Sequence, residues 1–360
     1  MQWQQQRLSS DPGLALSMEL DIEDFDALQN YLSLRGHLHP GEAVSFDVLP
    51  GGVSNRTVRA TWAEGRSWVL KQALPKLRVN IDWFSSPERI TVEAKALRWL
   101  NRIAPPGTTP AFVLEDATNH LMVMEAIPEE SANWKSILLK GEVVPEQFEQ
   151  FGSLLGTIHR QSSVSASEVS KTFADTTYFE SLRLEPYYLF TAQTTPAAAG
   201  FLKTLTRETL LHKVSLVHGD FSPKNTLLYQ GKLILLDYEV VHWGEPAFDV
   251  GFALTHFLSK AHHLPQARAR LAQAAMLFWE VYAKEVAALD WASDLEPRVV
   301  RHTLGCLLAR VAGKSPLEYL TRREQTRQKE VTLLLMEHPP AEVNELISRF
   351  IEQIESHAEN

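Results

Sequence analysis

The stretch "VSLVHGDFSPKNTLLYQGKLILLDYE", Val214 to Glu239, decides how this chain is read. It contains two short apolar strands joined around the turn "YQGK", and their ends are polar. Asp220 sits where an apolar run gives way to a loop, and Asn225 follows five positions later. Asp237 closes the next strand, with Glu239 just beyond. If the strands pair as a hairpin, Asp220, Asn225, Asp237 and Glu239 converge on one small volume. Three carboxylates and an amide so placed repel one another unless cations are present. Hard oxygen ligands of this kind suit Mg²⁺. The spacing separates roles: Asp220 is free to accept a proton from a substrate hydroxyl, while Asn225 and Asp237 are placed to hold metal, with Glu239 a further candidate. Any one of these residues fits a capped turn or an exposed acidic loop; the set in this order favours an active site.

Upstream, "SPERITVEAKALRWLNR" reads as a helix capped by Ser85 or Ser86, with Pro87 in its first turn and Glu88 supporting a capping box. Glu93 shares a face with Ile90, Leu97 and Leu100, so a carboxylate lies in a stripe meant for burial. An unpaired buried charge is costly, so a cation should meet it. Lys71, interrupting the apolar strand "SWVLKQAL", is the natural partner. One hairpin earlier, "GGVSNRT" supplies Gly51, Gly52, Ser54 and Asn55, a turn whose backbone N–H groups make an anion cradle.

Around these motifs the periodicity changes once. "DIEDFDALQNYLSLRG" reads as a short helix, the next three segments as antiparallel strands, and "AFVLEDATNHLMVMEAIP" as a hairpin. Beyond Pro128 the pattern is mainly helical, with long helices after Pro246, Pro265 and Pro297. The expectation is an α+β protein of two lobes: a β-rich N-terminal lobe over 1–127 and a larger helical C-terminal lobe over 128–360, with a ligand cleft between them. The 360 residues suffice for two lobes, and a net charge of −9 argues against nucleic acid as the main partner. The single cysteine, Cys306, fits a reducing compartment, and no stretch has the apolar length of a membrane span. The N-terminus lacks a signal-peptide pattern, so a cytoplasmic location is expected.

"HGDFSPKN", "LLDYEVVHWGEPAFDVG", "GGVSNRT" and "VLKQ" with its downstream glutamate resemble the aminoglycoside phosphotransferase and choline kinase superfamily, relatives of protein kinases. The likeness spans roughly residues 45 to 320. It implies a protein-kinase-like fold and transfer of the ATP γ-phosphate to a hydroxyl of a small molecule, with ATP and Mg²⁺ as cofactors. It also implies Asp220 as catalytic base and Asn225 and Asp237 on Mg²⁺, with Lys71 on the α- and β-phosphates, oriented by Glu93. "HLMVMEAI" is similar to the inter-lobe linker, where backbone at Met124, Glu125 and Ala126 would meet adenine. His218 and Asp249 would support the catalytic loop, Asp249 by accepting hydrogen bonds from its backbone.

For the acceptor, "VLKQALPKLRV", "ILLKGE" and the Asp237–Glu239 pair are similar to 5-methylthioribose kinases, in which both acids can ligate metal. "VVRHTLG" falls where those kinases carry paired arginines that grip the sugar; here Arg301 and His302 stand instead. A sugar-like acceptor is the first expectation, with Arg301, His302 and the ring of Trp243 in contact with it. Aminoglycoside, choline and homoserine acceptors, and a non-catalytic nucleotide-binding regulator, are the alternatives, and a homodimer stays open. His159 reads as a satisfied core histidine, Cys306 as an inert buried thiol and "TRREQTRQK" as a solvated helix face.

Overall fold

The computed structural model describes residues 20–50, 54–78 and 83–356. Gly51 and Gly52, expected to form the phosphate cradle, lie outside the described residues. A short helix α1 (Phe25–Leu34), capped by Asp24, leads into a five-stranded antiparallel sheet. Its strands are β1 (Val44–Val48), β2 (Asn55–Trp62), β3 (Ser67–Ala73), β4 (Phe112–Asp116) and β5 (Leu121–Glu125), in the spatial order β1-β2-β3-β5-β4. Helix α2 (Arg89–Ile103) joins β3 to β4.

Successive strand residues point to opposite faces, and that alternation positions the chemistry. Val58, Ala60 and Trp62 of β2, Trp68 and Leu70 of β3, and Leu121 and Val123 of β5 pack with Leu28 and Leu32 of α1. Val69 and Ala73 of β3 and Met122 and Met124 of β5 join α2 and the helical lobe in the main core. Lys71 shares the parity of Val69 and Ala73, so it projects toward α2. Strand β3 is thus covered on both faces, so Trp68 to Ala73 are all buried, Lys71 and Gln72 included.

The N-terminal cap of α2 differs from the expected capping box. Glu88 occupies the cap position without a side-chain bond, and Ser86 Oγ accepts from Glu88 N at 3.3 Å. The physical reason is Arg89, which is fully buried and donates to the carbonyls of Ser85 and Ser86 at 3.2 and 3.1 Å. Those contacts hold the preceding residues in a turn rather than a helical entry.

In the larger lobe the helix Pro145–Val164 packs beside Pro246–His263 and Arg268–Val286. The run Val214–Glu239 yields three strands, not two. Ser215–Val217 pairs antiparallel with His242–Gly244, while Thr226–Tyr229 and Lys232–Leu235 form the hairpin. The loop from His218 to Asn225 therefore spans between two small sheets. A wide-turn π-helix, Glu180–Leu189, lies beside that loop, its Arg183 donating to the carbonyl of Gly219. Among the described residues no helix is long and apolar enough to cross a membrane.

Candidate active site

A cleft of about 1280 Å³ opens between the sheet and the helical lobe. Its volume exceeds the few hundred to 1,000 Å³ of a typical single-ligand pocket, so it has room for two small molecules side by side. Ser54, Asn55, Lys71, Met124, Glu125, Asp220, Asn225, Asp237 and Glu239 all line it.

At one end, Lys71 Nζ bonds Glu93 Oε1 and stands 2.9 Å from Asp237 Oδ1. Burial would lower the Lys71 ammonium, but Asp237 and Glu93 more than reverse this and hold it well above its ordinary value. Burial would raise the Asp237 carboxyl, and Lys71 instead holds it well below the usual carboxylate range. Burial pushes Glu93 up to about 7 against the pull of Lys71. One ammonium thus serves two carboxylates. Asp237 also carries φ of 69°, a left-handed backbone rare outside glycine and concentrated at functional sites.

Asn225, whose carbonyl accepts from Leu236 N beside Asp237 at 2.8 Å, donates through Nδ2 to Asp220 Oδ2 at 2.7 Å and to the Asp220 carbonyl at 3.1 Å. The loop is held from behind. Asp249 accepts from His218 N at 2.6 Å and Gly219 N at 2.7 Å, and His218 Nδ1 accepts from Asp220 N at 3.2 Å. His159 bridges Asp249 and the Tyr282 hydroxyl, fully buried. Gly219 has φ of +76°, and a side chain there would meet Val240 at 2.8 Å, so only glycine fits.

The expected gathering of four oxygen ligands is met only in part. Glu239 is turned to Arg89, whose Nε lies 3.0 Å from its Oε2. Among the described residues no group of three or more His, Cys, Asp or Glu side chains is close enough to hold an ion. What remains is Asp237 with Asn225, a set of one carboxylate and one amide. Such a set fits Mg²⁺, which keeps waters and takes its other oxygens from phosphates. Charge points the same way. Arg183 pairs with Asp220 and Arg89 with Glu239, while among the described residues Lys71 is the ion-pair partner of both Glu93 and Asp237, two carboxylates to one ammonium where the metal would sit.

For the nucleotide, Asn55 Oδ1 and Ser222 Oγ are buried without a partner among the described residues, and both residues line the cleft. At the lobe connection, the N–H groups of Glu125 and Ala126 are bonded to the carbonyls of Ala111 and Ser67, both at 2.9 Å. Met124, Glu125 and Ile127 line the cleft there, whereas Ala126 does not. The expected backbone donors at Glu125 and Ala126 are thus already used within the protein, and Ile127 is the next residue that lines the cleft.

Three expected substrate contacts do not reach the cleft. His302 is buried in the helical core, with Tyr188 Oη 2.9 Å from its Nδ1, and burial holds its imidazole down at about 4. Arg301 pairs with Glu208 at 2.5 Å. Trp243 is buried in the strand His242–Gly244, its Nε1 donating to the Lys213 carbonyl at 3.0 Å. The helix Leu295–Ala312 turns Arg310 toward the cleft instead, two to three turns beyond Arg301.

Sequence reasoning missed the cleft residues Lys135, His256 and Arg310, and the clamp Arg89. Arg89 bonds Glu239, the carbonyls of Ser54 and Leu74, and those of Ser85 and Ser86. It thereby ties the start of β2, the end of β3 and the hairpin exit together. The available signal was a charge at the head of an apolar helix, the kind of position that drew attention to Glu93.

The phosphotransferase enzyme family model matches residues 45–283 of the 360. Methylthioribose kinase of Yersinia pseudotuberculosis is 24% identical over 293 residues, covering 72% of each chain. That of Pectobacterium atrosepticum is 24% identical over 311 residues, covering 76% of each. Among solved structures, an amicoumacin kinase in complex with AMP-PNP and Ca²⁺ superposes with a TM-score of 0.56 at 17% identity, over 89% of this chain and 96% of that one. Macrolide 2'-phosphotransferase from Brachybacterium faecium gives 0.51 at 17% identity, over 88% and 99%. These likenesses carry the two-lobed kinase-like fold. With a family model matched across the sheet, the catalytic loop and the hairpin, the chain belongs to the phosphotransferase enzyme family.

Proposed function

We propose that this phosphotransferase moves the γ-phosphoryl group of ATP to a hydroxyl of a small, sugar-like metabolite of the kind methylthioribose represents. The observation that carries the reading is Lys71 shared between Glu93 and Asp237 in the cleft, with Asp220 bonded to Asn225, whose carbonyl accepts from Leu236 N next to Asp237 at 2.8 Å. Lys71 holds the nucleotide's phosphates, and Glu93 fixes the ammonium. Asp237 and Asn225 would hold Mg²⁺, which would supply charge neutralisation at the phosphates. Asp220 orients the acceptor hydroxyl and takes its proton as the new oxygen–phosphorus bond forms and the bond from the γ-phosphorus to the bridging oxygen breaks, releasing ADP. Catalysis of this type is mostly positioning and charge neutralisation. The relatives named as methylthioribose kinases support a sugar-like acceptor.

The test is ADP release by the purified chain with ATP and Mg²⁺ across pentoses, methylthioribose, choline, homoserine and kanamycin-type compounds. Asp220→Asn should lose turnover by three orders of magnitude or more while still binding ATP. Turnover that survives in Asp220→Asn would sink the assignment.

A further inference from the structure

Beyond Asp220 the cleft continues into a pocket dominated by cations. Arg310 is buried, and its bonds go to neutral oxygens: Tyr187 Oη at 3.0 Å, the Ser315 carbonyl at 2.6 Å and Ser315 Oγ at 3.0 Å. Lys260 is fully buried one layer behind, donating to the His256 carbonyl at 3.2 Å and facing the ring of Tyr319 at 5.4 Å. Among the described residues neither cation has a carboxylate within ion-pair distance. The acid present is Glu318, largely exposed and already paired with Lys135 at the rim. A buried cation without a counter-charge is expensive, and its cost falls when an anion binds beside it.

Two further groups wait in the same place. His256 lines the cleft at 3% exposure with Nδ1 unpartnered among the described residues, and Arg310 Nε is likewise unpartnered. Burial, with Lys135 and Arg310 adding to it, pushes Lys260 down to about 7, the response of an ammonium pressed against like charges. The spacing to the reacting centre is fixed by one helix. Arg183 meets Asp220, and Tyr187, four residues on along the same helix, meets Arg310, so the two sites are neighbours along that helix.

We propose that the acceptor carries an oxyanion, a carboxylate or a phosphate, which docks on Arg310 and His256 while its hydroxyl lies at Asp220. The inference rests on the phosphotransfer reading and narrows it. The substrate is a compact hydroxylated acid or sugar phosphate, and the cationic acceptors are disfavoured. Lys135 and Lys260 supply attraction from the rim and from behind Tyr319.

Calorimetric titration tests it with D-gluconate as carboxylate probe, D-glucose 6-phosphate as phosphate probe and D-glucose as neutral control. Each is measured on the full chain with and without a saturating non-hydrolysable ATP analogue, so that binding at the nucleotide end is separated. At least one anionic probe should bind tenfold or more tightly than glucose with the analogue present, and the stronger of the two identifies the oxyanion. Arg310→Gln should weaken that binding at least tenfold, and Arg349→Gln, on the C-terminal helix, should leave it unchanged. Should Arg310→Gln fail to fold, Lys135→Met at the rim should weaken the same binding at least threefold. Glucose binding as well as both anions, or anion binding untouched in the cleft variants, overturns the inference. Nucleotide binding and ADP release are scored separately. Their loss with anion binding intact would count against the kinase reading alone, and full turnover of neutral acceptors with no preference for anions against this inference alone.

Discussion

The Arg183 guanidinium stands 2.9 Å from Asp220 Oδ2 and donates through Nε to the Gly219 carbonyl at 2.8 Å. A third bond, from Nη1 to the Leu182 carbonyl at 2.8 Å, locks the guanidinium to its own helix. The proposed base is therefore held on both sides, by Arg183 from the π-helix and by Asn225 from its own loop. A planar guanidinium tied to two carbonyls and set against one carboxylate oxygen fixes orientation as well as charge.

Arg183→Met should lower kcat about 100-fold, the scale expected when a reacting group loses its position. The KM for ATP should change less than threefold, because the bonds of Arg183 go to Asp220, Gly219 and Leu182 and not to Lys71 or Glu93. Arg183→Lys restores the charge but not the planar guanidinium and should recover part of the rate. Equal losses in kcat and ATP affinity would show a general collapse of the cleft instead.

Glu239 offers a second check, because its pairing with Arg89 argues against a metal role. Glu239→Gln should leave the Mg²⁺ concentration for half-maximal rate within threefold of wild type, whereas Asp237→Asn should abolish activity. Arg89→Met removes one partner of a buried pair and strands several carbonyls, so it should destabilise by roughly 3–5 kcal/mol in chemical denaturation. A large rise in Mg²⁺ requirement in Glu239→Gln would return that carboxylate to the metal.

By sequence alone, His302→Arg looks like a route to better methylthioribose use. The structure reverses this. Gly251 packs against the His302 backbone, and Tyr188 fills the space beyond the ring. An arginine there buries an unpaired charge, so His302→Arg should lose several kcal/mol of stability without gain on any acceptor. Thermal melting and the acceptor screen read the two parts independently.

Lys260 gives a pH dependence of definite sign. Its ordinary value is 10.5 and burial lowers it to about 7 in the folded chain. Between these values the unfolded chain binds more protons, so this group makes stability rise with pH from about 7 to 10.5, with a limiting slope of about 1.4 kcal/mol per pH unit. Lys260→Met should remove that slope and be most stabilising relative to wild type at or below pH 7. Denaturation midpoints from pH 6 to 10 give the comparison, and an unchanged slope in the variant would refute the assignment.

Much of the site was legible because burial leaves a local record. Glu93 and Lys71 could be paired from sequence since each interrupts an apolar stripe, and a charge placed there needs a partner of opposite sign. Asp220, Asn225 and Asp237 stood out because strand ends are marked by where apolar runs stop. The misreadings share another cause. Arg301, His302 and Arg310 sit on one helix, and similarity to a motif could not say which of its faces looks into the cleft. Helix rotation is set by packing against Gly251 and Tyr188, far away in sequence. The third strand, Ser215–Val217, was folded into the hairpin reading because its partner, His242–Gly244, lies beyond the hairpin itself.

The sequence by itself determined the order of the elements, the two-lobed α+β architecture and the polar strand ends that meet at the cleft. Periodicity and turn chemistry act over a few residues and are written there directly. Tertiary structure alone decided which charges answer one another: Arg89 with Glu239, 150 residues away, Arg183 with Asp220, and Arg310 with no acid among the described residues. Local spacing records that a charge is buried. Only the packed lobes reveal what stands opposite it, because a Coulomb partner is chosen by distance in space and by the water excluded between the two groups.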